Sequence, residues 1–304
     1  MKRDSAQLCA WTRAAVFAIF TGLLLAAPTT QAALVYALTD ENDLVSFDSE
    51  NPADLISGGA ISGLGGQDLV GIDIRPANNQ LYGVGNFGGL FAINPTSRVA
   101  SQVATLNVPL NGTRFGIDFN PAVDRLRIVS DLDQNLRVNV DTGATTVDGL
   151  LQYGPGQSGA TGDNPNVVGA AYTNSGGLTV PASTTLYAID VRASEDRLVI
   201  QNPPNNGTLT VVGPLNRNVS SLQGFDILFQ YGVNTGFAAM QLTTGGVSEL
   251  YSIDLSTGAS GSLGTIGGGD LIDGITVVGI PEPATFGMAG LALIGGVLLR
   301  RRAC

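Results

Sequence analysis

The 304-residue sequence predicts an all-β fold, a five-bladed β-propeller over residues 33–278 closed by one C-terminal strand joining three N-terminal strands. Three observations predict it. A Gly-x-Asp phrase inside an apolar run recurs as Gly71-Ile72-Asp73, Gly116-Ile117-Asp118 and Gly224-Phe225-Asp226, with degenerate copies at Gly169-Ala170-Ala171 and Gly274-Ile275-Thr276. Successive glycines stand 45, 53, 55 and 50 residues apart, a period that holds four short strands and matches a propeller blade. The repeat is also incomplete in complementary ways at its two ends.

Taken in order, residues 34–38, 44–47 and 60–64 form three strands before the first full repeat. In each of the first four repeats the phrase is followed by a polar turn and a second strand, such as 81–84 or 126–129. Third strands follow at 90–93, 136–140, 197–200 and 249–255, and fourth strands at 102–106 and 208–212. Gly, Pro, Asn and Asp separate these runs, and no ten-residue helical period interrupts them. The last copy, 274–278, supplies one strand and stops. One strand plus three makes the fifth blade and leaves no free sheet edge at the seam. Both ends of the body then emerge at a first-to-second-strand connection.

Composition narrows the chemistry. There is no histidine and the only lysine is Lys2, which excludes histidine triads, histidine metal sites and Schiff-base lysines. Cys9 and Cys304 lie in the end segments, so the body holds neither a disulfide framework nor a zinc cluster. Without residues 1–32 and 279–304 the body keeps nine arginines against 23 acidic residues, a net charge of −14. Nucleic acid is therefore not an expected partner.

The two ends read as addresses. Lys2, Arg3 and Arg13 precede the apolar run 14–27, with small residues up to a cleavage point between Ala32 and Ala33. Residues 1–32 are thus a signal peptide for the Sec export machinery. At the other end, Pro281-Glu282-Pro283 leads into the uncharged stretch 284–299, read as a transmembrane helix stopped by Arg300, Arg301 and Arg302. Residues 279–304 resemble the PEP-CTERM sorting tail of Gram-negative bacteria. The resemblance implies recognition by an exosortase, transient anchoring in the inner membrane, and delivery to the cell surface or extracellular matrix.

The body resembles the bacterial domain-of-unknown-function family 4394 across 33–278. The resemblance is carried by Phe115-Gly116-Ile117-Asp118-Phe119-Asn120-Pro121, Asp124-Arg125-Leu126-Arg127-Ile128-Val129-Ser130-Asp131, Asn135-Leu136-Arg137, Ala171-Tyr172-Thr173-Asn174 and the stretch 201–209. It implies the fold and export, and brings no activity with it.

Three groups of residues could carry chemistry. Loops joining second to third strands are acidic at 39–43, 130–135 and 192–196. Within them Asp131, Asp133 and Asn135 alternate as in the opening of a calcium loop, so they read either as a Ca²⁺ site or as solvated turn carboxylates. No cofactor is otherwise required. Asp73, Asp118 and Asp226 recur on the innermost strand, as acid, base or metal ligands, or as locks between blades; a repeat-encoded position favours the lock. Finally Arg125, Arg127 and Arg137 stand where other blades are apolar. Either Asp118 and Asp124 neutralise them, or Asp118, Arg125, Arg127 and Arg137 form an anion site. The expected function is an exported, surface- or matrix-associated, non-catalytic binding propeller, with extracellular polysaccharide or surface proteins as partners. The alternative is a carboxylate-based extracellular glycan hydrolase or lyase.

Overall fold

The computed structural model describes residues 32–157, 164–176, 179–192 and 195–280. The predicted signal segment up to residue 31 and the sorting residues Pro281, Glu282, Pro283 and Arg300 to Arg302, with the predicted helix 284–299, lie outside them. Among the described residues no helix is long and apolar enough to cross a membrane.

Five antiparallel sheets surround one axis as a β-propeller. In the closing blade β1 (Ala33–Thr39), β2 (Leu44–Asp48) and β3 (Asn51–Ser57) run in sequence, and β21 (Ile272–Gly279) lies against β1 with Tyr36 opposite Thr276. The first full blade is β4 (Leu69–Arg75), β5 (Gln80–Gly85), β6 (Gly89–Asn94) and β7 (Val99–Thr105). The second is β8 (Phe115–Asn120), β9 (Arg125–Ser130), β10 (Asn135–Val138) and β11 (Thr145–Val147). The third comprises β13 (Val167–Tyr172), β14 (Leu186–Asp190), β15 (Arg197–Gln201) and β16 (Thr208–Pro214), with β12 (Gln152–Tyr153) added in parallel to its edge. The fourth is β17 (Val219–Gln230), β18 (Val233–Leu242), β19 (Glu249–Ile253) and β20 (Ser260–Thr265).

One predicted strand is misplaced. Residues 60–64 make only isolated bridges, Asp43 to Ala60 and Ser62 to Val99, whereas the outer strand is β3. Its sequence Asn-Pro-Ala-Asp-Leu-Ile-Ser mixes polar and apolar residues and is mostly exposed, as an edge strand tolerates, so no apolar alternation marks it.

Five buried apolar clusters hold the ring together, one at each interface between neighbouring blades. At the seam, Val35 and Phe47 of the closing blade meet Phe237 and Leu250 of the fourth. Because each blade buries both faces of its sheet against neighbours, inner and middle strands read as near-continuous apolar runs.

Candidate functional site

Gly and Asp of the repeated phrase lie two residues apart, hence on one side of the strand. That side faces the next inner strand. A Cβ on Gly71 would lie 2.6 Å from Ile117, one on Gly116 2.6 Å from the Ala170 nitrogen, and one on Gly224 2.3 Å from the Ile275 nitrogen. Glycine thus lets inner strands touch, and the aspartate two residues on bonds across the gap. Asp73 Oδ2 accepts from Phe119 N–H (2.7 Å), Asp118 Oδ2 from Tyr172 N–H (2.8 Å) and Asp226 Oδ2 from Val277 N–H (2.6 Å). Each donor follows the equivalent position on the next strand.

The degenerate copies now have a meaning. Thr276 continues the ring, its hydroxyl accepting from Ile74 N–H (3.3 Å) and donating to Asp73 Oδ1 (2.9 Å). Ala171 breaks it, and Ile227 N–H is bonded instead by the carboxylate of Asp226 (2.6 Å).

Asp73, Asp118 and Asp226 are buried, with one oxygen from each lying within 4.8 Å of the others. None takes part in the ion pairs seen among the described residues. Burial, and then the neighbouring carboxylates, hold Asp73 and Asp118 well above the ordinary carboxylate range; burial pushes Asp226 up to about 6. Carboxylates this close disfavour one another's ionisation, since like charges cannot both be held without cost in a buried site. Oxygens this close suit a shared proton or a hard cation, and the donors already bound to Asp73 and Asp226 occupy lone pairs that a cation would need.

The axis is not an open passage. Beside the five repeat glycines it narrows to about 10 Å³, the space of a single water. Beyond them Arg114 bridges to Asp273 (3.0 Å) from the second blade to the closing one. On the opposite face the axis widens into a cavity of about 450 Å³, walled by Ile74, Ile227, Phe229 and Val277, with Asp73 and Asp226 on its lining.

A second cavity, of about 420 Å³, opens between the second and third blades and gathers Arg125, Arg127, Arg137, Asn120, Tyr172 and Asn205. Three of the four predicted anion-site residues therefore meet. Asp118 does not join them, since it belongs to the axial ring. Nor do Asp118 and Asp124 neutralise the arginines: Asp124 and Asp141 both bind Arg75, at 2.5 and 2.7 Å.

Asp148 is the counter-ion that sequence reasoning missed. Its Oδ2 accepts from Arg127 (2.7 Å) and from Arg137 (2.7 Å), and its Oδ1 from Arg137 (3.0 Å). Burial alone would raise this carboxyl, but the bonds from Arg137 and Arg127 outweigh it and hold it below the ordinary range. Arg127, only 2% exposed, is completed by Asn135 (2.7 Å), Asn205 (2.8 Å) and the Tyr172 hydroxyl (3.3 Å). Arg125 donates to the Asp124 carbonyl (2.7 Å) and is otherwise turned outward. A signal existed in the acidic residue one position beyond β11, but its range of reach spans two strands.

Two of the three predicted calcium residues are engaged by other protein groups. Asn135 Oδ1 accepts from Arg127 and from Gln201 (3.2 Å), while its amide donates to the Gly149 and Pro204 carbonyls. Asp131 is occupied by Thr113, through its amide (2.8 Å) and its hydroxyl (2.5 Å). Asp133, in a left-handed turn conformation (φ 62°), is raised above the ordinary range by burial.

The PEP-CTERM protein-sorting motif matches residues 279–302, which marks an exported, exosortase-processed protein with transient membrane anchoring. No curated protein matches the chain. Among solved structures, the chain is similar to a structural genomics protein of unknown function from Bacteroides thetaiotaomicron (14% identity, TM-score 0.47, 78% of this chain and 58% of that one). It is also similar to Kuenenia stuttgartiensis hydrazine synthase (10%, 0.38, 70% and 57%) and to a Lactobacillus plantarum protein (14%, 0.38, 81% and 71%). The chain thus spans under two thirds of the first two of these chains. The model of the Domain of unknown function (DUF4394) matches residues 43–276, nearly the whole propeller, and the chain belongs to that family.

Proposed function

We propose that this exported propeller is a non-catalytic binding protein whose arginine cleft takes an anionic group of an extracellular polysaccharide. One observation carries the reading: Arg127 and Arg137 share the single carboxylate of Asp148, and Arg125 stands beside them, in a body of net charge −14. Locally, positive charge is in surplus where everywhere else it is scarce. A guanidinium fork presents paired donors that match a carboxylate or sulfate. Arg127 is committed to the protein, so Arg125 and Arg137 are the groups left to meet a ligand.

Binding of an oligogalacturonate is expected to weaken by about tenfold with Arg137→Ala and again with Arg125→Ala, the scale of one charge-assisted hydrogen bond. It should also weaken with added salt. Isothermal titration against a neutral cello-oligosaccharide checks this. Equal binding of the neutral sugar, or indifference to both substitutions, contradicts the reading. Glycan turnover abolished by Asp118→Asn would favour the hydrolase or lyase alternative instead.

A further inference from the structure

The two faces of the propeller differ in kind. The second-to-third-strand loops that hold Asp40, Glu41, Asp43, Asp131, Asp133, Glu195 and Asp196 crowd one face with negative charge. Turns between first and second strands share the other, as the axial cavity there shows by gathering Pro76, Ser175, Tyr231 and Gly279. On these turns stand the exposed apolar side chains Val123, Val180, Tyr231 and Val233; the acidic face also exposes Phe87, Leu132 and Leu150, so charge rather than apolar exposure separates the two. The arginine cleft opens on the same face, since Val123 lines it.

The chain also leaves by this face. β21 ends at Gly279, and the Ile280 carbonyl accepts from Gln230 (3.0 Å) at the end of β17. Only residues 280–283 separate β21 from the uncharged stretch that starts at Ala284. At about 3.3–3.6 Å per extended residue, four residues reach about 14 Å. A seven-residue strand such as β1 or β4 is longer, at about 23 Å. An anchored tail therefore has no length with which to turn the other face toward the bilayer.

We infer that, while the tail anchors the chain, the first-to-second-strand face rests on an anionic lipid surface, with Val123, Val180, Tyr231 and Val233 at the headgroup boundary and Arg125 and Arg137 toward the phosphates. Apolar tips flanked by arginines suit that boundary, and the opposite acidic face is repelled from it. The arginine cleft then faces headgroups until the tail is cleaved.

The test uses the chain with its tail, carrying Trp11→Phe so that an introduced tryptophan is the only one. Val233→Trp and, on the same turn, Tyr231→Trp report one face; Leu132→Trp, on an exposed acidic-face loop, reports the other. In vesicles of phosphatidylcholine with phosphatidylglycerol, brominated lipid should quench Val233→Trp and Tyr231→Trp and leave Leu132→Trp bright. Adding Arg125→Glu and Arg137→Glu should reduce that quenching. Equal or reversed quenching of the two faces overturns the inference, and so does quenching that ignores both charge reversals. Tail-free protein binding oligogalacturonate as before, alongside either overturning result, would leave the polysaccharide reading intact.

Discussion

Gly224→Ala is expected to destabilise the propeller by about 3 kcal/mol, because all three atoms its Cβ would strike are backbone. They are the Ile275 nitrogen at 2.3 Å and the Gly274 carbonyl carbon and Cα at 2.6 and 2.8 Å, so no side chain can rotate away. The fourth blade and the closing blade must separate, and the bond from Val277 N–H to Asp226 stretches with them. For a domain of this size the loss corresponds to a fall in melting temperature of about 6–12 °C. Gly169→Ala supplies the comparison. Its Cβ would lie 3.0 Å from the Cβ of Phe225, a contact relieved by a shift of a few tenths of an ångström, so its cost should be nearer 1 kcal/mol. Thermal and urea melts of the two variants check the difference, and similar melts would contradict the close-approach role given to the repeat glycine.

Asp148→Ala should be of similar severity for a different reason. Arg127 is buried and Asp148 is its only carboxylate partner among the described residues, so truncation leaves a buried charge without a counter-ion. Breaking such a pair from one side costs about 3–5 kcal/mol. Arg137→Ala should be far milder, since its side chain is about a third exposed and Asp148 keeps Arg127. Urea denaturation distinguishes them; equal losses would mean that Arg127 finds another partner.

Much of this was legible in the residues. The Gly-x-Asp phrase predicted the inner strands, their number and the seam, because touching strands need a missing Cβ at one place and a short acceptor two residues later. Pairing between blades was less legible. Alternation says which side of a strand Arg127 points to, but not that Asp148, two strands away, arrives there, nor that Asp124 turns to Arg75. The role of Asn135 was illegible for the same reason: its spacing from Asp131 and Asp133 suits a cation, while in the fold its amide serves Arg127, Gln201 and two carbonyls. The outer strand β3 escaped notice because an exposed edge places few demands on sequence.

Asp73, Asp118 and Asp226 lock the ring by bonding the next inner strand, and their proximity favours a shared proton. Their carboxyls lie above the ordinary range in the folded protein, so the fold favours their protonated forms. That stabilisation is complete below the ordinary carboxylate pKa and is lost as pH rises through the folded values, about 6 for Asp226. Asp118→Asn keeps an oxygen for Tyr172 N–H and removes one ionisation. The direct measurement is the melting temperature of protein and variant between about pH 5 and about pH 8. The native chain should lose stability across that range, and Asp118→Asn should lose clearly less. A variant that follows the native curve, or a native chain that gains stability as pH rises with Asp118→Asn flattening the gain, would contradict the shared-proton lock.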